Sequence, residues 1–160
     1  MNTYSFTVTT YTKGSSCAAD RCTIEINFGD DTTLYPISRV NGGACPEPSS
    51  CSGQPACLKC GVMIPGTDVK INIYTTVHTY PGSGQYIVSM TDANRNDGIV
   101  NIPASQTAFS IQDTLVINPF LGCNNSVTLS NPPIDKACAG KLFVHNPGAV
   151  DTDGDSVSYK

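Results

Sequence analysis

A chain of 160 residues with 14% charged side chains and a formal net charge of -4 has the bulk for one domain, or one domain with part of another. Its nine lysines and arginines are scattered, so it lacks a basic patch to displace counterions from nucleic acid or anionic lipid, and no apolar run approaches the roughly 18 residues of a membrane helix. Gly, Pro, Ser, Thr and Asn take the place of charges, a balance that favours short strands and turns and predicts an all-β protein.

The first residues, "MNTYSFTVTT", alternate with period two and have neither the basic start nor the apolar stretch of a signal peptide. An exported protein would thus be present in mature form. Residues 4–12 (YSFTVTTYT) alternate β-branched and aromatic residues with polar ones, and residues 22–28 (CTIEINF) set Ile24, Ile26 and Phe28 on one face. The two are expected to be neighbouring antiparallel strands. Between them "KGSSCAADR" is a loop whose Cys17 and Cys22 are close enough to bridge. "GDDT" then makes a turn, and "TLYPISRV" a short strand that Pro36 confines to a sheet edge.

Residues 41–61 (NGGACPEPSSCSGQPACLKCG) show no periodicity. So long a structureless loop inside a compact domain needs covalent ordering, which Cys45, Cys51, Cys57 and Cys60 can supply. "VKINIYTTVHTYP" and "GQYIVSMTD" follow as strands flanking a "PGSG" turn, then "NRNDGIVNIP" and "AFSIQDTLVINPF" as a last strand pair. Strands at this spacing predict a β-sandwich over residues 1–113. From residue 114 to 160, "TLVINPF", "SVTLSNPP", "KLFVHNPG" and "DSVSYK" supply a partial second β unit, with Cys123 and Cys138 placed to staple its loop. Four short strands bury too little for a sandwich core. An incomplete unit of this kind exposes an edge strand that a neighbouring copy or domain could pair with.

Eight cysteines, an even number, form a disulfide framework in an oxidising compartment and metal sites in a reducing one. The Trp-free, Ser/Thr/Asn-rich background favours export, with Cys17 bridged to Cys22, Cys123 to Cys138, and the four central cysteines pairing among themselves. "CLKC" lacks both the second knuckle of a zinc site and the α/β frame of a redox motif. Near the carboxyl end, "AVDTDGDSVSYK" sets Asp151, Asp153 and Asp155 around Gly154. Alternate carboxylates repel and need open water or a cation; Ca²⁺ is the cation such oxygens suit. The loop "DANRNDG" offers Asp92, Asn94 and Asn96, which read as a strand-capping turn rather than a metal loop. His78 in its alternating strand and His145 between prolines and glycines have no nucleophile beside them in sequence, and no phosphate loop, nucleophile elbow or zinc-protease motif occurs. A catalytic role is not expected.

"INFGDDT", followed about fifty residues later by "HTYPGSGQYIVSM", resembles the PKD (polycystic kidney disease) domain, an immunoglobulin-like β-sandwich with a W-G-D-G turn and an H-x-Y-x-x-x-G-x-Y-x-V strand pair. Gly29 and Asp30 match the first motif, in which Phe28 replaces Trp and Asp31 the last Gly; His78, Tyr80, Gly84, Tyr86 and Val88 match the second. Nearly the whole chain is similar to the N-terminal region of gliding-motility-associated surface proteins exported by type IX secretion, which implies a fragment of a longer protein. "DTDGDSVSY" resembles the D-x-D-G-D segment of cadherin-like modules, implying that the three aspartates bind Ca²⁺. "DTL" and "DSV" resemble an O-glycosylation tripeptide of the same bacteria, implying Thr114 and Ser156 as sites. The implied function is that of a non-catalytic extracellular structural or adhesive module of a cell-surface or filament-forming protein, with strand contacts to copies of itself or to neighbouring domains. The alternative is a glycan-binding module, for which Tyr11, Tyr35 and Tyr74 could form an aromatic platform.

Overall fold

The computed structural model describes residues 2–15, 21–43, 61–93, 107–134 and 137–158. The chain divides into two compact units, Met1–Ile117 and Asn118–Lys160. The described residues contain no helix. Their strands are β1 (Thr3–Lys13), β2 (Thr23–Asn27), β3 (Tyr35–Ser38), β4 (Val62–Met63), β5 (Val69–Thr79), β6 (Gly84–Asp92), β7 (Phe109–Ile117), β8 (Thr128–Leu129) and β9 (Ala149–Val150).

The first unit is an antiparallel sandwich of two sheets, ordered β1-β5-β4 and β3-β2-β6-β7. Period-two alternation places the strands well but does not name their neighbours. The expected pairing of β1 with β2 is not formed: β1 pairs with β5 along its whole length, from Thr3 opposite Thr79 to Lys13 opposite Val69. The loop after β1 crosses to the other sheet, where β2 pairs with β3 and β6. β7 likewise pairs with β6 from Gly84 opposite Ile117 to Asp92 opposite Phe109, and the expected partner "NRNDGIVNIP" lies outside the described residues. Pro36 sits in edge strand β3, as a residue without an N–H requires.

The two sheets meet along one side. Past β3, Arg39 forms an isolated bridge to Tyr74, and Val40 N–H donates to the Ile73 carbonyl at 2.8 Å. Asn41 extends this seam with its side chain, donating to the Ile71 carbonyl at 2.9 Å and accepting from Ile73 N–H at 2.8 Å. Its amide thus stands in for a strand residue beside β5.

Between the sheets lies one apolar cluster of Ile24, Ile26, Phe28, Ile37, Tyr74, Tyr80, Met90 and Ile117, with Tyr4, Phe6, Val8, Tyr86, Val88 and Leu115 packed against it. Toward one end the inward face of β5 turns polar. Lys70 is fully buried and Asn72 is buried beside it, donating to Thr12 Oγ1 at 3.1 Å. Ile117 closes the core, which is why the first unit ends four residues beyond the expected boundary at 113.

Among the described residues only one of the four expected strands forms in the second unit, and its partner β9 (Ala149–Val150) falls between two of the expected segments. "SVTL" contributes β8, which pairs with β9 through Thr128–Val150 and Leu129–Ala149, while Leu142, Phe143 and Val144 are exposed and outside any strand, as is Val157. "TLVI" belongs instead to β7 of the first unit.

Ile26, 2% exposed at the centre of the cluster, and Val77, 62% exposed on β5, separate core from surface. Ile26→Ala is expected to lower unfolding free energy by about 2–5 kcal/mol, and Val77→Ala to change it by less than about 0.5 kcal/mol, both by urea denaturation followed by circular dichroism.

Candidate functional site

The residues of the paired glycine-aspartate and histidine-tyrosine motifs converge at the turn after β2. Asn27 organises that turn with its side chain: Oδ1 accepts from Gly29 N–H at 2.8 Å, and Nδ2 donates to the carbonyls of Asp31 and Thr33 at 3.2 and 3.3 Å. Gly29 has φ of 81° and runs so close to β6 that a Cβ there would lie 2.6 Å from the backbone nitrogen and oxygen of Ile87. Only glycine fits both demands. Asp31 accepts from Thr33 N–H at 2.7 Å and from the Tyr35 hydroxyl at 3.2 Å. The Thr33 amide is the main cause that holds the Asp31 carboxyl below its ordinary range.

This geometry presents Asp30 to His78. The imidazole Nε2 lies 2.8 Å from Asp30 Oδ2, and its ring stacks on Phe28 with centroids 4.0 Å apart and planes 7° from parallel. His78 is thereby tied to the Gly29–Asp30 turn. Tyr80 meets the His78 ring edge-on at 4.8 Å, and its hydroxyl donates to the Phe28 carbonyl at 3.0 Å. Tyr86 packs on Tyr80 at 4.3 Å and donates to the Gly82 carbonyl at 3.0 Å. Gly84 passes the Tyr86 ring, where a Cβ would come within 3.3 Å. Burial, and then the charge of Asp30, push the Tyr80 phenol well above its ordinary value. The hydroxyls of Tyr80 and Tyr86 thus both donate to backbone carbonyls, while that of Tyr35 donates to the Asp31 carboxylate.

A second polar contact fastens the loop between β1 and β2. Arg21 donates to both carboxylate oxygens of Asp92 at 3.0 and 3.2 Å, and Tyr74 donates to the Arg21 carbonyl at 2.6 Å. The bond to Asp92 is the largest cause raising the Arg21 pKa. Asp92 therefore closes an ion pair rather than starting a metal loop; Asn94 and Asn96 lie outside the described residues.

Among the cysteines, Cys22 is buried and disulfide-bonded, its partner lying outside the described residues, as do Cys17, Cys45, Cys51, Cys57 and Cys60. Cys123 and Cys138 are free and exposed, which corrects the expected bridge between them. The only strand ladder of the second unit among the described residues joins β8 to β9, and neither cysteine lies on it.

The acidic turn follows its own chemistry. Asp151 Oδ1 accepts from the backbone N–H groups of Asp153 and Asp155 at 2.9 and 3.1 Å. Asp153 accepts from the backbone N–H and side-chain amide of Asn125, and the Asn124 amide, turned to donate, reaches Asp153 and Asp155 at 3.2 and 3.1 Å. Gly154 takes φ of 87° at the bend. Repulsion among the three carboxylates is met by amide donors, and among the described residues no group of three or more acidic, histidine or cysteine side chains could hold a metal ion. In this arrangement the three aspartates do not fit a Ca²⁺ shell. The "NN" at 124–125 is the one sequence sign of these donors.

Thr114 is exposed on β7 and Ser156 is exposed outside any strand. His145 is exposed in the second unit. The tyrosine platform is not assembled: Tyr74 is 1% exposed and faces inward, and Tyr35 is half-buried against Phe28. The parity of β5 carries this information, since Tyr74 shares a face with His78 and Tyr80. Comparison with family models, with curated proteins and with solved structures gave no match.

Tyr80→Phe leaves the Phe28 carbonyl without its donor and is expected to cost about 1–3 kcal/mol at neutral pH. A phenol whose folded pKa is raised contributes stability that is fully present below the unfolded value of about 10 and lost as pH rises through the folded value. Above pH about 10 the parent protein should therefore lose stability with a steeper slope than Tyr80→Phe, as measured by urea unfolding across pH. For the acidic turn, excess EDTA is expected to leave the thermal midpoint unchanged; a midpoint that falls on chelation and returns with Ca²⁺ would show the aspartates regrouped around a cation.

Proposed function

We propose that this chain is a non-catalytic structural module of an extracellular protein, one that is borne on a cell surface or built into a filament. The observation that carries the reading is the fate of the polar and aromatic side chains at the candidate site. His78, Asp30, Tyr80 and Tyr86 bind one another or backbone carbonyls and tie the turn after β2 to the strands on either side. Such an arrangement resists deformation and commits His78 Nε2, Asp30 Oδ2 and the Tyr80 and Tyr86 hydroxyls to structural bonds. The likeness of these residues to the PKD motif supports the same role, and the disulfide at Cys22 suits an oxidising exterior. Exposed Thr114 and Ser156 are accessible for the glycosylation that their tripeptides suggest.

A glycan-binding role would need an aromatic face open to solvent, and the burial of Tyr74 weakens it. A glycan array probed with the purified protein separates the two. No retention on any glycan is expected; saturable capture of one glycan class, with a matching rise in thermal midpoint, would replace the structural reading with the binding one.

A further inference from the structure

The edges of the first unit are not alike. β4 has two residues, β3 has four and carries Pro36, and β7 carries the exposed carboxylate Asp113. These are the usual means by which a sheet edge is kept from pairing with another chain. β1 has none of them along its first ten residues. Its eleven residues, TYSFTVTTYTK, hold no proline and no charge before Lys13. It also pairs with β5 without a bulge from end to end. Among the described residues no strand covers its other edge.

The core is open on the same side. Where Arg39, Val40 and Asn41 stitch the sheets together, the inward residues Ile24, Ile26, Ile37 and Tyr74 are buried. By strand order, β1 and β7 end the two sheets on the opposite side, and there, although Thr12 and Ile117 near the strand ends are buried, the inward residues Tyr4, Phe6, Val8, Phe109 and Leu115 are only half-buried. Apolar and aromatic groups are thus left partly wet beside a row of backbone donors and acceptors that no described strand pairs.

We propose that β1 is a self-pairing edge, at which a second copy of this chain adds its own β1 antiparallel to form one continuous six-stranded sheet. This rests on the structural reading above and names the partner through which such a module would assemble. The strand complements itself. With full overlap centred on Val8, inward residues meet inward residues, Tyr4 against Thr12 and Phe6 against Thr10, while on the outer face Thr7 meets Thr9 and Ser5 meets Tyr11. Lys13 falls opposite Thr3, so no like charges oppose one another even though the whole chain carries -4. Eleven residues span about 37 Å, and a two-layered edge of that length, roughly 20 Å deep, approaches the roughly 800 Å² per partner of a standard interface. Threonine pairs opposed across an antiparallel seam, already present between Thr3 and Thr79 at 2.9 Å and Thr7 and Thr75 at 3.3 Å, would recur across the new one.

Size-exclusion chromatography with light scattering on the full chain, from micromolar to millimolar concentration, tests the pairing. A concentration-dependent dimer is expected. Thr7→Lys combined with Thr9→Lys sets like charges against each other across the seam at exposed positions; it should weaken association by about tenfold or more while leaving the thermal midpoint near that of the parent. Thr7→Glu combined with Thr9→Glu should behave likewise alone and form a heterodimer when mixed with the lysine variant. A parent that stays monomeric at millimolar concentration leaves the edge to an extended segment of some other protein and overturns self-pairing. A dimer unaffected by the charges, or variants that fail to associate when mixed, overturns the β1 seam. Either result leaves the structural reading standing, whereas glycan capture would remove that reading without altering the light-scattering outcome.

Discussion

The stack of His78 on Phe28, capped by Asp30, is the contact on which the first unit depends. Phe28 lies just beyond β2 in one sheet, and His78 belongs to β5 in the other. A ring contact alone would hold them by dispersion and area; the added hydrogen bond fixes direction. Because Asp30 can meet Nε2 only if the turn bends sharply, glycine is required at 29, and because Gly29 bends there it lies against the backbone of Ile87 on β6. Three strands and a turn are thereby positioned by one interlocked group. Tyr80 then satisfies the Phe28 carbonyl within the core, where an unpaired acceptor would cost more than the hydrogen bond returns in water.

Polar side chains do similar work elsewhere in this unit. Asn41 completes hydrogen bonds of β5 at the seam, Asn27 shapes the turn, and Arg21 with Asp92 anchors the strand ends. A chain poor in charge and rich in Asn, Thr and Gly thus closes its sandwich on one side by backbone-like contacts, where a larger protein would use more buried area. The opposite side has no equivalent. The asymmetry between a stitched side and an open one follows from where the amides fall in the sequence.

Much of the first unit could be read from the chain itself. Alternation located β1, β2, β5 and β6 to within a residue or two, and the resemblance of Gly29, Asp30, His78 and Tyr80 to the paired PKD motifs singled out the residues that meet. Partnership between strands was not legible, since alternation is a property of each strand separately and sheet order depends on which inward faces pack together. The seam at Asn41 escaped because a single Asn before two glycines looks like any turn. Tyr74 could have been placed correctly by counting along β5 from His78. In the second unit, apolar runs at residues 142–144 suggested a strand that burial never supports, for Leu142 is 94% exposed.

That last contrast bears on how the second unit holds its form. Its two-residue ladder is extended by Ser130 N–H to the Gly148 carbonyl at 3.1 Å and Asn131 N–H to the Pro147 carbonyl at 3.0 Å, with the Asn131 amide on the Asn146 carbonyl at 2.8 Å. Asn124 and Asn125 add ties to the acidic turn. Their donors are exposed residues, and hydrogen bonds open to water contribute little net free energy each. Large apolar side chains such as Phe120, Leu121, Leu129 and Val144 stay in solvent, so the term that stabilises the first unit is nearly absent from the second. The chain therefore joins a sandwich stabilised by a shared core to a segment shaped by amides and carboxylates, and the stability of the former owes nothing to burial within the latter.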